Sequence, residues 1–513
     1  LNANYLTGYV HRRFIDVLSE MPTIIYIDLS SSMEYIISAA LSSICALNVS
    51  TIEGPYNVTG EGTLLAVIDS GIDYMHTDFR NSDNTTRILY LWDQTLTGTP
   101  PEGFKKGVEF TKGQIDEALG MSTREESLQI VPSIDTIGHG TAITGIAAGN
   151  GRASGGRNRG LATNAELIIV KAGSSNPNLT TPRDTDIMQG IKYALIKAQE
   201  LKRPVCILLG TGTNKGAHNG KSSIEQYIDQ MALVWKNNIV VGTGNQGNKD
   251  SHIQGILHEG EERQIQLIVA PNHLYYTCSI WKSFLDDVEL IIQSPRGEST
   301  QVLSIRVPNR VFVFGETQVF VSFSEPTLDE YNQKIFLLFE GPPDIGIEQG
   351  LWTIILRGAN IVEGNYYIWG AIVDSTQTNT RFLTSSLSTT LTIPSTSSNI
   401  TSVAGFNPNT SQIAAFSGRG FTKDGCIKPD ISAPGVGVVT TSNNPDLLYE
   451  TVTGTSAAAA CIAGAYLLCM EYARRLSGDW TLYGGLLKVY MLRTAKRRQL
   501  NEPYPNPQWG YGI

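Results

Sequence analysis

Residues 63–73 read Thr63-Leu64-Leu65-Ala66-Val67-Ile68-Asp69-Ser70-Gly71-Ile72-Asp73. A short apolar run that ends in Asp-Ser-Gly is the pattern of a parallel strand covered on both faces, because neither face calls for a polar residue. Downstream, Leu167–Lys171, Val205–Leu209 and Ile239–Val241 repeat this buried-strand texture, while Thr141–Ala148 and Ile187–Glu200 carry helical patterns between strands. Strands alternating with helices at this spacing predict a doubly wound α/β layer with a parallel sheet. Such layers place functional groups at the carboxyl ends of their strands, which makes Asp69 a candidate site residue.

The texture changes between Asn248 and Pro394. Arg263–Val269, Val288–Gln293, Val311–Phe314, Val319–Phe323, Lys334–Phe339, Leu351–Leu356 and Tyr366–Ala371 are short β-prone runs separated by Gly, Pro, Asn and Asp turns. Short strands at regular spacing predict an all-β sandwich or jelly roll, here inserted into the α/β layer. That layer resumes with the strand-like Ile400–Ala404. The predicted organisation is residues 1–46 as a separate leading segment, 47–247 and 395–513 as the α/β domain, and 248–394 as the inserted β-domain. Within the leading segment, Thr23–Ile27 reads as extended and the Ser-rich stretch to Ala46 as helical. Thr384–Thr401 reads as an edge strand and linker. Trp352, Tyr366, Tyr367 and Trp369 alternate with apolar residues in strands and read as core rather than as a recognition surface.

Composition narrows the class. The 513 residues carry 39 Lys+Arg against 48 Asp+Glu, a net charge of −9, with 41% hydrophobic and 17% charged residues. That balance suits a multi-domain globular chain and not a disordered one. It also provides no electrostatic reason for a nucleic-acid partner. No uninterrupted apolar run approaches the roughly 20 residues of a membrane span. The six cysteines show no CxxC spacing, so free and mostly buried thiols are expected, with no zinc site. The first residues, LNANYLTGYVHRRF, contain no apolar core of a signal peptide. No complete oxygen-ligand loop surrounds Asp73, and no metal or cofactor is expected.

Three segments carry chemistry when taken together: Val67-Ile68-Asp69-Ser70-Gly71-Ile72-Asp73, Gly138-His139-Gly140-Thr141 and Gly454-Thr455-Ser456-Ala457-Ala458. Singly, each has a structural explanation, since Asp, His and Ser at strand ends and helix starts commonly cap turns and helices. Jointly they supply a hydroxyl nucleophile, an imidazole base able to work near neutral pH, and a carboxylate to orient that base. A serine at a helix start also has backbone N–H donors and the positive dipole end beside it.

With these residues the chain resembles the subtilisin-like serine proteases, in which the order is Asp…His…Ser. The resemblance implies Asp69, His139 and Ser456 as the catalytic triad. It implies Asn245, in Gly242-Thr243-Gly244-Asn245-Gln246-Gly247, as the oxyanion donor. It also implies Leu208-Leu209-Gly210 as the strand along which a substrate lies. Lys428-Pro429-Asp430-Ile431-Ser432-Ala433-Pro434-Gly435 and Gln508-Trp509-Gly510-Tyr511-Gly512 match as well, and His76 matches a position read as structural. Cys461, five residues after Ser456, reads as core. The chain departs from the common family pattern at Ala142-Ile143-Thr144-Gly145 after the His motif and at Ala457-Ala458-Ala459-Ala460 after the Ser, where no proline follows.

These departures, the long interval with Thr86-Arg87-Ile88-Leu89-Tyr90-Leu91-Trp92-Asp93-Gln94, the segment Gly54-Pro55-Tyr56-Asn57-Val58-Thr59-Gly60 and the β-insert resemble the Csp-type germination proteases of spore-forming clostridia. That resemblance implies a prodomain, of which residues 1–46 are the C-terminal part, cleaved within Tyr35–Leu47 and then retained. It further implies protein or peptide substrates, limited proteolysis of a cortex-hydrolase zymogen, and a location in the spore or an origin in the cytoplasm. The competing expectations are a pseudoprotease that senses a germination signal or acts as a scaffold, and a clostridial subtilase with another substrate. The competent residue types at Asp69, His139, Ser456 and Asn245 speak against the pseudoprotease.

Overall fold

A computed structural model describes residues 1–2, 4–35, 58–176, 181–306, 309–326, 330–372, 379–497 and 502–513. Its organising element is the strand Leu64–Asp69, in which every residue is buried. Leu65 and Val67 point into one apolar cluster, with Ile143 and Ala458. Leu64, Ala66 and Ile68 point into another, with Ile187 and Ile228. The period-2 alternation of a strand thus feeds two cores, which is why the run contains no polar residue before Asp69.

In spatial order, the nine-stranded sheet runs Gln412–Ile413, Thr401–Asn407, Asn237–Gly242, Val205–Leu209, Leu64–Asp69, Glu166–Lys171, Ile88–Asp93 and Val108–Thr111, with Ile431–Pro434 also paired to Thr401–Asn407. The pairings are parallel except at Gln412–Ile413 and Val108–Thr111. The helices His139–Ala148 and Thr455–Tyr472 contribute to the first cluster, and Asp184–Glu200 and Ser223–Met231 to the second. This is a doubly wound, subtilisin-like architecture. One stretch, Thr455–Arg475, is long and apolar enough by length and composition to cross a membrane, but 78% of that window is buried inside the fold. Its apolarity follows from its place in the core, where Ala457–Ala460 are fully covered. The Lys428-Pro429-Asp430 motif closes the C-terminal end. Asp430 accepts from Lys428 Nζ at 2.6 Å and from Lys488 Nζ at 2.8 Å, which ties the Gly484–Thr494 helix to the sheet.

The inserted region forms two antiparallel sheets. One contains Asp287–Gln293, Gly350–Asn360, Glu262–Val269 and Arg381–Phe382. The other contains Asn309–Phe314, Thr317–Phe323, Asn332–Glu340, Tyr275–Ser283, Asn365–Gly370 and His252–Ile256. Leu267, Leu290 and Ile354 from the first sheet meet Ile280, Leu337 and Ile368 from the second in one apolar cluster. Trp352, Tyr366 and Trp369 are buried within this region and Tyr367 is half-buried, in keeping with core positions. The strands His252–Ile256 and Tyr275–Ser283 escape the sequence pattern. Gly255 breaks the first, and Ser279, Lys282 and Ser283 are all buried in the second, so its apolar period is lost.

Two local expectations are corrected. Residues 31–35 are extended rather than helical, because their backbone is paired on two sides, and Thr23–Ile27 forms no strand, its side chains lying at the surface without a pairing partner strand. The rest of the expected helix, to Ala46, lies outside the described residues. Thr384–Thr401 supplies no edge strand. It makes only the isolated bridge Thr213↔Ile393 before Thr401 enters the sheet.

Two histidines lie where the insert meets the α/β domain. Burial pushes the His218 imidazole down to about 4, against the opposing effect of its backbone contacts. Burial, reinforced by His218, pushes His252 down to about 3. In the unfolded chain both rings take up a proton near pH 6.5. Below that pH the unfolded state binds more protons, so the stability present above it is lost as pH falls towards 4 and 3. Denaturant midpoints should be flat near pH 7–8 and fall below about 6.5, and His252→Phe should make the decline shallower. Identical slopes for both proteins between pH 6.5 and 4.5 would show that His252 does not contribute.

Candidate active site

Asp69 is the last residue of the central strand, and His139 and Ser456 lie in the first turns of two helices on the same face of the sheet. Gly138, the residue before the His139 helix, has φ +83°, a conformation glycine adopts without strain. A Cβ at Gly140 would lie 2.1 Å from the Gly71 carbonyl oxygen, so only glycine lets the helix approach the Asp69 turn this closely. His139 Nδ1 is 2.7 Å from Asp69 Oδ1, and His139 Nε2 is 2.9 Å from Ser456 Oγ. All three residues are at most 1% exposed. The Ser70 backbone N–H also donates to Asp69 Oδ1, at 2.7 Å. With Asp69 accepting at Nδ1, that nitrogen carries the imidazole proton, which leaves Nε2 free to accept from the serine hydroxyl.

Asn245 is oriented by the residue before Ser456. Its Oδ1 accepts from Thr455 N at 3.1 Å and from Thr455 Oγ1 at 3.2 Å. A backbone N–H requires an acceptor, so the amide oxygen must face Thr455, which turns the amide nitrogen away from it. The Thr455 hydroxyl in turn accepts from Gly244 N at 3.0 Å. Asn245 and Ser456 are therefore linked through Thr455, the residue that precedes the serine.

Asp135 is a positioning residue that the sequence motifs did not reveal. Its Oδ1 accepts from Gly138 N at 2.8 Å, and its Oδ2 from Thr141 N at 2.9 Å and Thr141 Oγ1 at 2.7 Å. One carboxylate thus caps the free N–H groups on either side of His139. The available signal was an acidic residue four positions before the histidine, in Asp135-Thr136-Ile137-Gly138-His139.

Leu208 and Leu209 cannot offer an edge to a substrate. Leu208 pairs with Val67 and Val240, and Leu209 with Ile68 and Val241, so both edges of that strand are used. At Gly210 the chain leaves the sheet, and a Cβ there would meet Asp69 Oδ2 at 2.0 Å and His139 Cε1 at 2.6 Å. The edge actually paired is the next one, Thr211–Gly212, and its partner is the chain's own Glu34–Tyr35, antiparallel, with Glu34↔Gly212 and Tyr35↔Thr211. The other side of the segment is held by Met33 N donating to Pro182 O at 2.7 Å, Asp184 N donating to Ser31 O at 2.8 Å, and the bridge Ser32↔Arg183. Met33 is fully buried in the cluster that contains Ile187 and Leu209. The Tyr35 ring lies 5.6 Å from that of His139, and burial, followed by the charges of Asp69 and Asp135, pushes its phenol pKa well up.

The remaining sequence candidates have structural partners. Asp73 pairs with Arg124 at 3.2 Å. His76 Nε2 meets Leu448 O at 2.8 Å, and its Nδ1 accepts from Asp78 N at 3.1 Å. Cys461 is buried, its thiol pushed up to about 12 by burial.

A doubly wound sheet with serine, histidine and aspartate hydrogen-bonded in line at strand and helix ends is an arrangement of the subtilisin type. The chain belongs to the Subtilase family, whose profile matches residues 60–264 and 365–512 and passes over most of the β-insert. In structure it is similar to the CspB protease of Clostridium perfringens, with a TM-score of 0.81 and 32% identity, covering 90% of this chain and 93% of that one. It is 24% identical over 485 residues to the PII-type proteinase of Lacticaseibacillus paracasei, covering 83% of this chain and 23% of that protein. It is 23% identical over 481 residues to the PI-type proteinase of Lactococcus lactis subsp. cremoris, covering 86% and 24%. The chain thus spans about a quarter of the length of these curated relatives.

Burying a methionine side chain contributes about 1.5–3 kcal/mol, and a carboxylate in the same pocket would have no partner. Met33→Asp should therefore loosen the leading segment. Trypsin cleavage at Arg12 and Arg13 should speed up, while the α/β domain keeps its melting temperature. Unchanged cleavage would mean that Met33 does not anchor the segment.

Proposed function

We propose that Ser456 is the nucleophile, His139 the general base and then acid, Asp69 the orienting carboxylate and Asn245 the oxyanion donor of peptide-bond hydrolysis. The observation that carries this reading is the unbroken hydrogen-bonded line Asp69–His139–Ser456, at 2.7 and 2.9 Å. The Ser456 Oγ–H proton passes to His139 Nε2 as Oγ attacks the scissile carbonyl, and Asp69 stabilises the imidazolium. The oxyanion is met by the Asn245 amide and by N–H groups at the start of the Thr455–Tyr472 helix. His139 then gives its proton to the leaving amine, and water releases the acyl group by the same route reversed.

The leading segment is a prodomain remnant that the enzyme processes itself. Its antiparallel pairing with Thr211–Gly212 is how a substrate backbone would lie, with recognition through main-chain bonds and side-chain pockets. Tyr35 pairs with Thr211 and its ring lies beside that of His139, which supports cleavage within the interval Tyr35–Leu47. The wider role is limited proteolysis of a zymogen such as a spore cortex hydrolase during germination. Its support is the likeness to the CspB protease along nearly the whole of both chains.

Purified wild-type chain should be labelled at Ser456 by a fluorophosphonate probe, and intact mass should show self-cleavage that Ser456→Ala abolishes. Asn245→Ala should lower kcat by about 10²–10³. Absence of labelling in the Met33→Asp protein, with its cleft cleared, would favour a pseudoprotease that acts by binding. Incubation with a purified cortex-hydrolase zymogen should yield one discrete cut. An intact zymogen beside a labelled, self-cleaved enzyme would reject that substrate and leave the hydrolase reading standing.

A further inference from the structure

The inserted β-domain touches the protease through a stack of rings. His218, in the loop after Thr211–Gly212, lies 4.1 Å from the Trp369 ring at an interplanar angle of 14°. Trp369 also stacks with His252, 4.8 Å away at 20°. Trp369 and His252 belong to adjacent strands of the insert. The Trp369 indole donates to Thr389 O at 3.0 Å, and Asn214 Nδ2 donates to the neighbouring Gly370 O at 3.0 Å. The Asn214 contact joins the insert to the loop after Thr211–Gly212, and the Thr389 contact ties Trp369 to the insert's own return towards the α/β domain.

His218 is fully buried and its backbone is left-handed, at φ +51°. Its Nδ1 lies 2.5 Å from Leu391 O and its Nε2 lies 3.1 Å from Asn214 O. Leu391 opens the strip that returns from the insert to the protease. The next residue, Thr392, donates its N–H to Thr243 O at 2.9 Å. The Thr392 side chain lies against Gly244, where a Cβ would meet it at 2.4 Å. Ile393 then exchanges hydrogen bonds with Thr213, at 2.8 and 2.9 Å. The strip therefore braces the Gly244–Asn245 loop on one side and Thr213, just past the Thr211–Gly212 strand, on the other.

We infer that His218 is a positioning residue for the oxyanion donor: clamped on Trp369, it fixes Leu391 and Thr392, and through them the Gly244–Asn245 loop. This rests on the reading of Asn245 as that donor. The inserted domain thereby contributes to transition-state geometry through this strip. A displacement of about 1 Å at such a donor can cost about 10²-fold in rate, so the brace can matter even though it lies outside the triad.

The test measures phosphonylation of Ser456 by a fluorophosphonate, as kinact and KI, on the full chain in the wild-type and Met33→Asp backgrounds. His218→Ala removes both ring nitrogens. It should lower kinact about tenfold with KI little changed. His218→Asn retains a donor at the δ position and tolerates the left-handed backbone, and it should recover most of the wild-type rate. His218→Gln presents its donor at the ε position, towards Asn214 O, and should not. The decisive comparison is a double-mutant cycle. In an Asn245→Ala background, His218→Ala should change kinact less than about twofold, because its effect passes through Asn245. An undiminished effect in that background, or equal rates for the Asn and Gln variants, would overturn the inference. Asn245→Ala without effect on its own would instead overturn the oxyanion assignment. If His218→Ala does not fold, the Asn and Gln variants carry the same test.

Discussion

One imidazole has to satisfy two partners from distant parts of the chain. His139 meets Asp69, 70 residues before it, and Ser456, 317 residues after it, each within hydrogen-bond distance. This is possible because a strand and two helices converge on one end of a sheet whose central member is buried along its whole length. Glycine at 140 allows the close approach, and Asp135 secures the helix start on either side of the histidine. Any loosening of that strand or that helix would separate groups whose chemistry depends on tenths of an ångström.

The same strand end brings two further pieces of chain to the site. The leading segment lies in the cleft as an added strand, with Met33 in the core and Tyr35 beside His139. The strip returning from the β-insert lies behind the Gly244–Asn245 loop. One piece lies beside His139 and the other against the Gly244–Asn245 loop, so the site is assembled from stretches remote in sequence. The doubly wound sheet makes this economical, since all of them need only reach the carboxyl ends of adjacent strands.

Much of this was legible from the residues. The buried strands are recognisable because burial on both faces removes polar residues, and the motifs around Asp69, His139, Asn245 and Ser456 are recognisable because each needs glycines or small residues beside a reactive group. Other parts were not legible, for identifiable reasons. Residues 31–35 have a Ser-rich composition that favours no strand, and they become extended only by pairing with 182–184 and 211–212. Leu208 and Leu209 look like a substrate edge until the sheet order shows both their edges occupied. The strand Tyr275–Ser283 is masked by polar residues buried near the domain junction, and Asp135 lacks a motif of its own.

By itself, the sequence determined the class of fold, the presence of an inserted β-domain and the chemical types needed for serine-dependent hydrolysis, because these are written in local periodicity and in short contiguous motifs. Only the tertiary structure decided which edge receives a peptide backbone, what lies in the cleft and what supports Asn245. Those outcomes depend on pairings between segments far apart along the chain, such as Glu34 with Gly212 and Thr392 with Thr243, and the free energy of a long-range pairing leaves no pattern in either partner alone.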